Sequence, residues 1–327
     1  MQRIQDRFNL LKSDTGTSSV EPKRPAGRGS KLLLRPYIWI VPAMAMLATF
    51  LFYPIFFTTT LSLFEYNGYT RGIFVNFVGL DNYIELVQDR LFLKALYHTL
   101  LVVFFGITVQ IAVALLLAVF IYMAEFRAAS WLRGIIFFPS VLSAIVVATV
   151  WRNIVFLRGG LISQYTTAFG LPDFFPLGDP KYAIFALIIV SVWQGVGFNL
   201  VIFYAGLQSL ESEVVESAQI DGVNFWQMIR RIVVPLQAHV ILVSVVLNVI
   251  GGVQVFDLFF VLIKGHLAAI HAADVLATYM MLNSFAAASV YGGRSALGFA
   301  ASIAVTMMLM MLGFAVLRTR LRKAIDY

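Results

Sequence analysis

The sequence predicts an all-α, polytopic membrane protein with six transmembrane helices. Hydrophobic residues make up 60% of the 327 residues, charged residues only 13%, and the mean hydropathy is +0.84. A soluble protein of this size could not bury so much apolar surface, because the ratio of surface to volume falls only slowly with size and soluble surfaces carry many charged residues. Since lipid offers no partners to backbone N–H and C=O groups, long apolar runs must cross it as helices.

Six apolar runs are long enough to cross about 30 Å of hydrocarbon, for which a helix needs about 20 residues. They are Tyr37–Leu63, Leu96–Met123, Gly134–Phe156, Tyr182–Gly206, Ala238–Val261 and Ser295–Val316. Such continuous runs favour helices over a transmembrane barrel, whose strands alternate apolar and polar residues over roughly ten positions.

The distribution of lysine and arginine predicts that both termini are cytoplasmic. Most of these residues lie in the two terminal segments or in the connections that share their side, which hold Arg127, Arg133, Arg230 and Arg231. Cytoplasmic loops carry the excess of basic residues. The net charge of +7 is therefore interpreted as a topology signal with some attraction to anionic lipid. The sequence contains no basic domain with interleaved aromatic residues, which would indicate a nucleic-acid partner.

The predicted spans divide the chain into three parts. Residues 1–34 form a flexible basic cytoplasmic tail without the apolar content to fold alone, although Arg3–Lys12 also fits a short amphipathic surface helix. Residues 35–318 form the transmembrane domain, with a cytoplasmic loop at 209–236, and residues 319–327 form a second basic cytoplasmic tail. The first apolar run is too long for a signal-peptide core, so we expect it to remain as the first membrane helix.

Several kinds of active site are excluded by composition and motif. The chain has no cysteine, which excludes disulfides, thiol catalysis and thiolate metal sites. His98, His239, His266 and His271 lack metal-binding spacing and are expected at the membrane interface, so no metal site is predicted. No G-x-x-x-x-G-K-S/T phosphate loop and no catalytic cluster occur. A transport subunit without its own nucleotide-binding site is favoured over an enzyme.

The loop from Glu211 to Leu236, after the fourth predicted span, differs from the short inner connections. Ser209 or Ser212 can cap a short helix with acids in its first turn, and Gly222 can end that helix in a left-handed conformation. A second amphipathic helix follows over 225–234 and ends before a proline. The pattern predicts a helix, a sharp turn and a second helix on the cytoplasmic surface, a shape suited to docking a partner.

These residues resemble the EAA signature of permeases in binding-protein-dependent ABC importers. The matching positions are Glu216, Ala218, Asp221, Gly222, Ile232 and Pro235. Ser217, Val223 and Ile229 replace the usual residues with others of similar small or apolar character. Phe77–Tyr83 and Phe137–Ser140 are similar to the carbohydrate-uptake branch, and within it to the larger membrane subunit of maltose-type systems. An ordinary amphipathic surface loop is the alternative interpretation.

The resemblance implies a permease fold in the cytoplasmic (inner) membrane of a bacterium or archaeon. It also implies four kinds of partner: a second homologous permease, two cytoplasmic ATPase subunits, an extracytoplasmic solute-binding protein and a sugar-like substrate. The loop would insert into a groove of the ATPase. No cofactor is expected on this chain, because ATP and Mg would be used by the partner ATPase.

Polar and small residues at mid-membrane depth give the candidate substrate pathway, since such residues are costly in lipid and usually face the protein interior. They are Gln194, Gly195, Phe198 and Asn199 in the fourth predicted span and Asn248, Gly251, Gly252 and Gln254 in the fifth. In the resembled family the matching stretches line the substrate cavity, where amide and aromatic groups would suit sugar hydroxyls. Close packing or hydrogen bonding between helices explains each single residue equally well.

An ion-driven secondary transporter is the alternative function. Asp257 is an intramembrane acid towards the outer end of the fifth predicted span and would suit a proton relay. Pairing with a basic neighbour, or capping a break before Lys264, explains it as well. Secondary transporters combine inverted repeats with buried ionisable groups in interrupted helices, and few such groups are visible in this sequence.

Overall fold

The computed structural model describes residues 35–68, 74, 76–123, 129–210, 212–263, 273–284 and 296–325. Across these ranges the chain is helical, apart from an isolated antiparallel bridge between Phe64 and Phe77. Five of the described helices are long and apolar enough to span a membrane, and a bent pair would make a sixth. The predicted all-α class is confirmed. The basic tail at 1–34, with His266 and His271, lies outside the described residues.

Two compact units are present, one up to Ile55 and one from Phe56 onwards. The first contains α1, Arg35–Leu47, and a π-helical turn at Ala48–Phe52. The chain continues into α2, Tyr53–Leu61, most of which belongs to the second unit. The apolar core of this first span has no buried residue. An uncovered apolar surface of this kind is suited to contact with lipid chains.

A short helix, α3 (Asp81–Gln88), follows the first span, and its polar side chains contact the residue just after α2. Asn82 is buried and donates a hydrogen bond from Nδ2 to the carbonyl of Ser62 at 2.8 Å. The hydroxyl of Tyr83 lies 2.7 Å from the Ser62 hydroxyl. Leu86 is almost fully buried on the same side. These contacts hold α3 against the helical bundle.

The second span is a single interrupted helix of 34 residues. It begins as α4 (Arg90–Phe105), widens into a π-helical turn at Gly106–Gln110 and continues as α5 (Ile111–Met123). The carboxylate of Asp89 accepts a hydrogen bond from the backbone N–H of Leu91 at 2.8 Å, which caps the start of α4. Single π-helical turns inside longer helices are frequent at functional sites.

The third predicted span, Gly134–Phe156, is wrong as one continuous helix. The structure has α6 at Ala129–Val141 and α7 at Ala144–Val150, separated by a break at which Ser143 is extended (φ −57°, ψ 136°). Pro139 lies inside α6 and cannot donate a backbone hydrogen bond, which weakens the last turn before the break. Hydropathy does not register this interruption, because apolar residues continue across it.

Beyond α7 the chain forms a π-helical turn at Trp151–Phe156 and then α8 (Leu161–Ala168). The candidate span Ala144–Ala168 includes both. A short 3-10 turn at Pro176–Gly178 leads into the next helix. Glycine and proline residues are frequent in this stretch, as is typical of a loop.

The central helix of the second unit is α9, Ala183–Gln208, which packs against both α5 and α6. Half of its most apolar window is buried inside the protein. Leu187, Leu200 and Phe203 are fully buried along it. This buried share is the highest among the candidate spans described, which places α9 in the middle of the bundle.

The segment after α9 contains α10 (Ser212–Ile220), α11 (Phe225–Gln227), a π-helical turn (Met228–Val233) and α12 (Val234–Leu236). It then joins α13, Ala238–Gln254. The helical axis bends by 80° between the segment and α13. The segment therefore lies across the end of the span that follows it.

The fifth predicted span, Ala238–Val261, extends too far. Its helix ends at Gln254, because Val255 adopts an extended conformation (φ −60°, ψ 113°). A separate helix, α14 (Asp257–Ile263), follows. Asp257 is exposed in the first turn of α14. The break in the helix therefore lies before Asp257, and not between Asp257 and Lys264 as one interpretation of the sequence expected.

The last two described helices are α15 (Leu276–Asn283) and α16 (Leu297–Ile325), which pack against each other. The helix α16 continues through most of the basic C-terminal segment. The ring of His98 is buried, and its Nδ1 lies 2.9 Å from the carbonyl oxygen of Asp274. Buried polar groups require such partners, and this contact joins α4 to the stretch before α15.

Candidate functional site

A tight turn built on Gly222 ends α10. Gly222 has φ +75°, a left-handed conformation that residues with a side chain rarely adopt. The N–H of Asp221 donates to the carbonyl of Ser217 at 2.9 Å, and the N–H of Val223 donates to that of Ala218 at 3.1 Å. The last carbonyls of α10 are thus satisfied by the chain that reverses after it, as is typical of a helix C-terminus that ends in glycine.

The helical segment after the turn begins with a capping box that the sequence analysis did not identify. Asn224 Oδ1 accepts from the N–H of Gln227, and Gln227 Oε1 accepts from the N–H of Asn224, both at 3.0 Å. The signal was present in the sequence, because a capping residue followed three positions later by Gln before an apolar run marks a helix start. Both ends of the turn are therefore fixed by local hydrogen bonds.

Two details of the predicted segment differ in the structure. Pro235 does not end the second helix, which continues to Leu236 and bends at Gln237. A proline removes the hydrogen bond to the residue four positions earlier, and the preceding turn is π-helical. Ser209 does not begin α10, since its hydroxyl donates to the carbonyl of Gly206 at 2.7 Å at the end of α9.

One face of the segment is buried against α5 and α9, and the other is exposed. The buried side chains form a continuous apolar cluster with these two helices: Val215, Ala218, Met228, Ile229 and Val233. Exposed residues include Ile220 at 86% and Trp226 at 61%, together with Arg230 and Arg231. A surface that presents a large aliphatic and an aromatic side chain beside a rigid turn is suited to binding another protein.

The structure places the residues of the EAA signature at different depths. Ala218 is buried, Ile232 is half-buried, and Asp221, Gly222 and Pro235 are exposed. Glu216 lies on α10, and its side chain is outside the described part of the structure. The exposed residues of the signature are therefore those of the turn and the proline near the elbow.

A second feature is a cavity of about 290 Å³ between α4, α6, α9 and α13. It is lined by Val102, Gly106, Gln110, Ser140, Ser191, Gln194, Gly195, Phe198, Asn199, Leu247, Asn248, Gly251 and Gly252. None of these side chains is charged, and amides and hydroxyls supply its polar groups. Such a lining can donate and accept hydrogen bonds without imposing a charge on what it binds.

The structure brings together all but one of the residues proposed for the substrate pathway. The exception is Gln254, which is exposed outside the cavity and donates to the sulfur of Met311 at 3.5 Å. Gln110, Ser140 and Ser191 line the cavity but were missed. Gln110 carries the same signal as the glutamine and asparagines that were selected, an amide at mid-depth of an apolar span.

A network of amides crosses the cavity wall. Gln110 Nε2 donates to Asn248 Oδ1 at 2.8 Å, and Asn248 Nδ2 donates to Asn199 Oδ1 at 3.0 Å. The hydroxyl of Ser244 also donates to Asn199 Oδ1, and Asn199 Nδ2 donates to the carbonyl of Gly195 at 3.1 Å. The π-helical turn, α9 and α13 are thereby joined through side chains. Networks of this kind position polar groups in an apolar surrounding.

Gln194 supports the cavity differently. Its Nε2 donates to the carbonyl of Leu142 at 3.1 Å. That carbonyl lies at the break between α6 and α7, where a helical partner is lost, so Gln194 compensates part of the interruption. Phe198, which is half-exposed, contributes an aromatic face to the cavity next to these amides.

Comparison with a family model gives a match over residues 110–326 to the "Binding-protein-dependent transport system inner membrane component". The matched region includes both the segment with Gly222 and nearly all of the cavity.

Curated relatives give the same picture over most of the chain. A probable ABC transporter permease protein YurN of Bacillus subtilis is 30% identical over 88% of this chain and 96% of the relative. The lactose transport system permease protein LacF of Rhizobium radiobacter is 30% identical over 68% of this chain and 73% of the relative. The trehalose/maltose transport system permease protein MalF of Thermococcus litoralis is 28% identical over 70% of this chain and 77% of the relative.

A solved structure of a bacterial alginate ABC transporter, in complex with a periplasmic protein bound to an alginate pentasaccharide, contains a chain with a similar fold. The TM-score is 0.74 with 21% sequence identity, covering 90% of this chain and 96% of that chain. This likeness concerns the fold.

Proposed function

Because the chain belongs to the family of inner membrane components of binding-protein-dependent transport systems, we propose that it is the permease subunit of an ATP-driven importer of a sugar or sugar-like solute. In this proposal it forms half of the translocation pathway. A second, homologous permease subunit forms the other half. The chain is a transport subunit rather than an enzyme.

One observation carries the proposal: two of the helices that line the amide cavity, α9 and α13, also flank the exposed turn. The segment with Gly222 starts directly after α9 and ends at the elbow with α13. Its buried face packs on α5 and α9. A force applied to the turn therefore reaches α9 and α13 through packed side chains and short connections.

The turn is proposed to dock into a groove of a separate cytoplasmic ATPase, of which the assembly has two copies. The chain has no phosphate-binding loop, so ATP and Mg are assigned to that partner and no cofactor to this chain. Closure of the ATPase pair would move α9 and α13 together and switch access to the cavity from one side of the membrane to the other. Asp221 and Gly222 present the turn, and Ala218 and Ile232 anchor it.

The excess of basic residues assigns the turn and both termini to the cytoplasmic side of the inner membrane of a bacterium or archaeon. An extracytoplasmic binding protein would deliver the solute from the opposite side. Support for a sugar comes from the uncharged amide and hydroxyl lining with Phe198 at its edge and from the names of relatives that transport lactose, trehalose or maltose.

An ion-driven secondary transporter remains the alternative. The residue that best supported this alternative in the sequence is Asp257. It is exposed at the start of α14 and is not among the residues that line the cavity. A relay in which an acid couples an ion to the solute requires the acid close to the solute site.

Site-directed cross-linking tests the docking proposal. The chain has no native cysteine, so Ile220→Cys gives a single reactive thiol on the exposed tip of the turn. In membranes that contain the assembled transporter, a short thiol-to-amine reagent should join it to an ATPase subunit. Phe169→Cys is a matched control, because Phe169 is 80% exposed but is separated from the turn by one span, Ala183–Gln208. Cross-linking of the control alone would contradict the proposal.

A further inference from the structure

The short helix α3 presents three different faces. At about 3.6 residues per turn, Asn82 and Leu86 lie on one face and are buried against the bundle. Asp81, Glu85 and Gln88 lie on a second face and are exposed. The third face is apolar, and it distinguishes α3 from an ordinary surface helix, which has one apolar and one polar face.

The third face is a row of exposed aliphatic side chains, Leu80, Ile84 and Val87, whose spacing of four and three residues places them on one side of α3. Leu91 is also exposed and follows the break at Asp89, in the first turn of α4. The exposed fractions of these four side chains lie between 40% and 69%, and none is among the buried residues of the second unit. Single exposed aliphatic residues are common on proteins, but a continuous row indicates a surface that is covered by something else.

The row lies next to the start of a membrane-spanning helix. Leu91 belongs to the first turn of α4, which opens the candidate span Arg90–Met123. Farther along that span Leu93, Tyr97 and Leu100 are also exposed. A tyrosine near the end of a span is typical of the boundary between lipid chains and headgroups. The aliphatic row of α3 therefore lies beside the end of a span, where lipid headgroups meet acyl chains.

Two cations stand at the junction. Arg90 and Lys94 are exposed, four residues apart on the first turns of α4, beside the aliphatic row. The ion pair that the structure describes, Arg158 with Asp173, involves neither of them. Basic side chains next to an apolar face favour the phosphate groups of lipid over uncharged surfaces.

The geometry points to a lipid-binding site: α3 lies in the headgroup layer on the membrane side opposite to the Gly222 turn, with its aliphatic row in the acyl chains and Arg90 and Lys94 on phospholipid phosphates. Three candidate spans separate α3 from α10, which puts the two on opposite sides. The acidic face with Asp81 and Glu85 then points away from the lipid phosphates. The buried face of α3 then contacts protein, the aliphatic face contacts lipid, and the acidic face contacts water.

Such a contact would fix the depth of α4. The cap at Asp89 joins α3 directly to α4, and α4 carries the π-helical turn that supplies Gln110 to the cavity. Lipid contact at α3 would hold this turn at constant depth while α9 and α13 move. The inference depends on the membrane span and not on the identity of the solute.

Single-cysteine labelling tests the assignment of the faces. Ile84→Cys and Glu85→Cys, made in the cysteine-free chain and labelled with a nitroxide, place probes on the apolar and acidic faces. The full-length chain is reconstituted in nanodiscs of phosphatidylethanolamine and phosphatidylglycerol, and collisions with oxygen and with a water-soluble nickel chelate are measured. A probe at 84 should be accessible to oxygen and protected from nickel, at a depth of about 5–10 Å. A probe at 85 should be accessible to nickel.

Two results would overturn the inference. Equal nickel accessibility at 84 and 85 would mean that the aliphatic row faces water and serves a soluble protein partner. Protection of position 84 from both reagents would mean that protein covers it, such as a second copy of the chain. Because neither outcome depends on transport, failure here is distinct from failure of the importer proposal.

The cations are tested by combining Arg90→Gln and Lys94→Gln with the Ile84→Cys probe. Loss of both charges should move the probe towards water, which raises its nickel accessibility several-fold in nanodiscs that contain phosphatidylglycerol. Lys181→Gln is the control, because Lys181 is exposed in the loop before α9 and lies outside this surface. An unchanged probe depth in the double variant would overturn the assignment of Arg90 and Lys94 to lipid phosphates.

Discussion

The turn at Gly222 and the amide cavity are built by opposite means. The turn depends on backbone conformation and on hydrogen bonds between neighbours in sequence, such as those of Asn224 with Gln227. The cavity depends on side chains that meet across long distances in the chain, such as Gln110 with Asn248. The first can be altered by one backbone change without touching the second, and the second can be altered without changing the turn.

This difference allows the proposed coupling role and the proposed solute-binding role to be tested separately. The exposed turn makes few contacts of its own, so its substitution should affect what docks there and not the stability of the bundle. The cavity is part of the packing between α4, α9 and α13, so substitutions there should affect transport through the positions of these helices. Variants can therefore assign each role to its own region.

The largest effect is expected for Gly222→Val. No described atom lies within 4 Å of a side chain placed at this position, so the cost is the left-handed backbone alone, about 1–2 kcal/mol, and more for a β-branched residue. Transport of the assembled importer should fall about tenfold or more, while membrane insertion stays normal.

Gly222→Asn is the matched control, because asparagine tolerates the left-handed conformation. It should retain much more transport than the valine variant in the same uptake assay. Equal loss in both variants would show that the position matters for a reason other than backbone conformation, and normal uptake with valine would remove the turn from the coupling mechanism.

A smaller effect is expected for Gly195→Ala. A methyl group there would overlap Gln110 Nε2, so the amide must move and its hydrogen bond to Asn248 is lost. A net loss of about 1 kcal/mol corresponds to a roughly fivefold decrease in transport. Solute uptake and the thermal stability of the purified chain should both be measured.

Gly251→Ala provides the comparison within the cavity, since no described atom lies within 4 Å of the added methyl group. Its uptake should stay close to that of the unmodified protein. If this variant lost as much uptake as Gly195→Ala, loss of cavity volume would explain both results and the amide network would not be required.

The sequence predicts the turn better than the cavity, because the turn depends on neighbouring residues and the cavity depends on residues far apart in the chain. Asp221 and Gly222 define a local turn, and their spacing from Pro235 was sufficient to predict the segment. The breaks at Ser143 and Val255 were missed because apolar residues continue through them, and the partner of the free carbonyl of Leu142 is Gln194, far along the chain. Gln110 could have been predicted by the criterion that selected Asn199, an amide at mid-depth of an apolar span, but it was overlooked.

The smallest effect concerns the loop after α8. A hydrogen bond from the Ser163 hydroxyl, and then one from Arg158, lower the pKa of Asp173 below its ordinary value of 3.8. A lowered pKa means that the contribution of the carboxylate is fully present above the ordinary value and is lost as the pH falls through the lowered one. Hydrogen exchange of residues 158–173 should therefore increase only in strong acid.

Asp173→Asn should remove this acid dependence and leave uptake at neutral pH nearly unchanged, because the pair of Arg158 and Asp173 is solvent-exposed and weak. A large loss of uptake at neutral pH would instead show that this loop, and not only the turn and the cavity, takes part in transport.

Uptake into proteoliposomes tests the central claim most directly. Vesicles that contain this chain, its partner permease and the ATPase, with the binding protein outside, should accumulate a sugar only when ATP is present on the ATPase side. Vesicles that contain this chain alone should show no accumulation under an ion gradient. Accumulation by the chain alone, driven by an ion gradient and without ATP, would contradict the account.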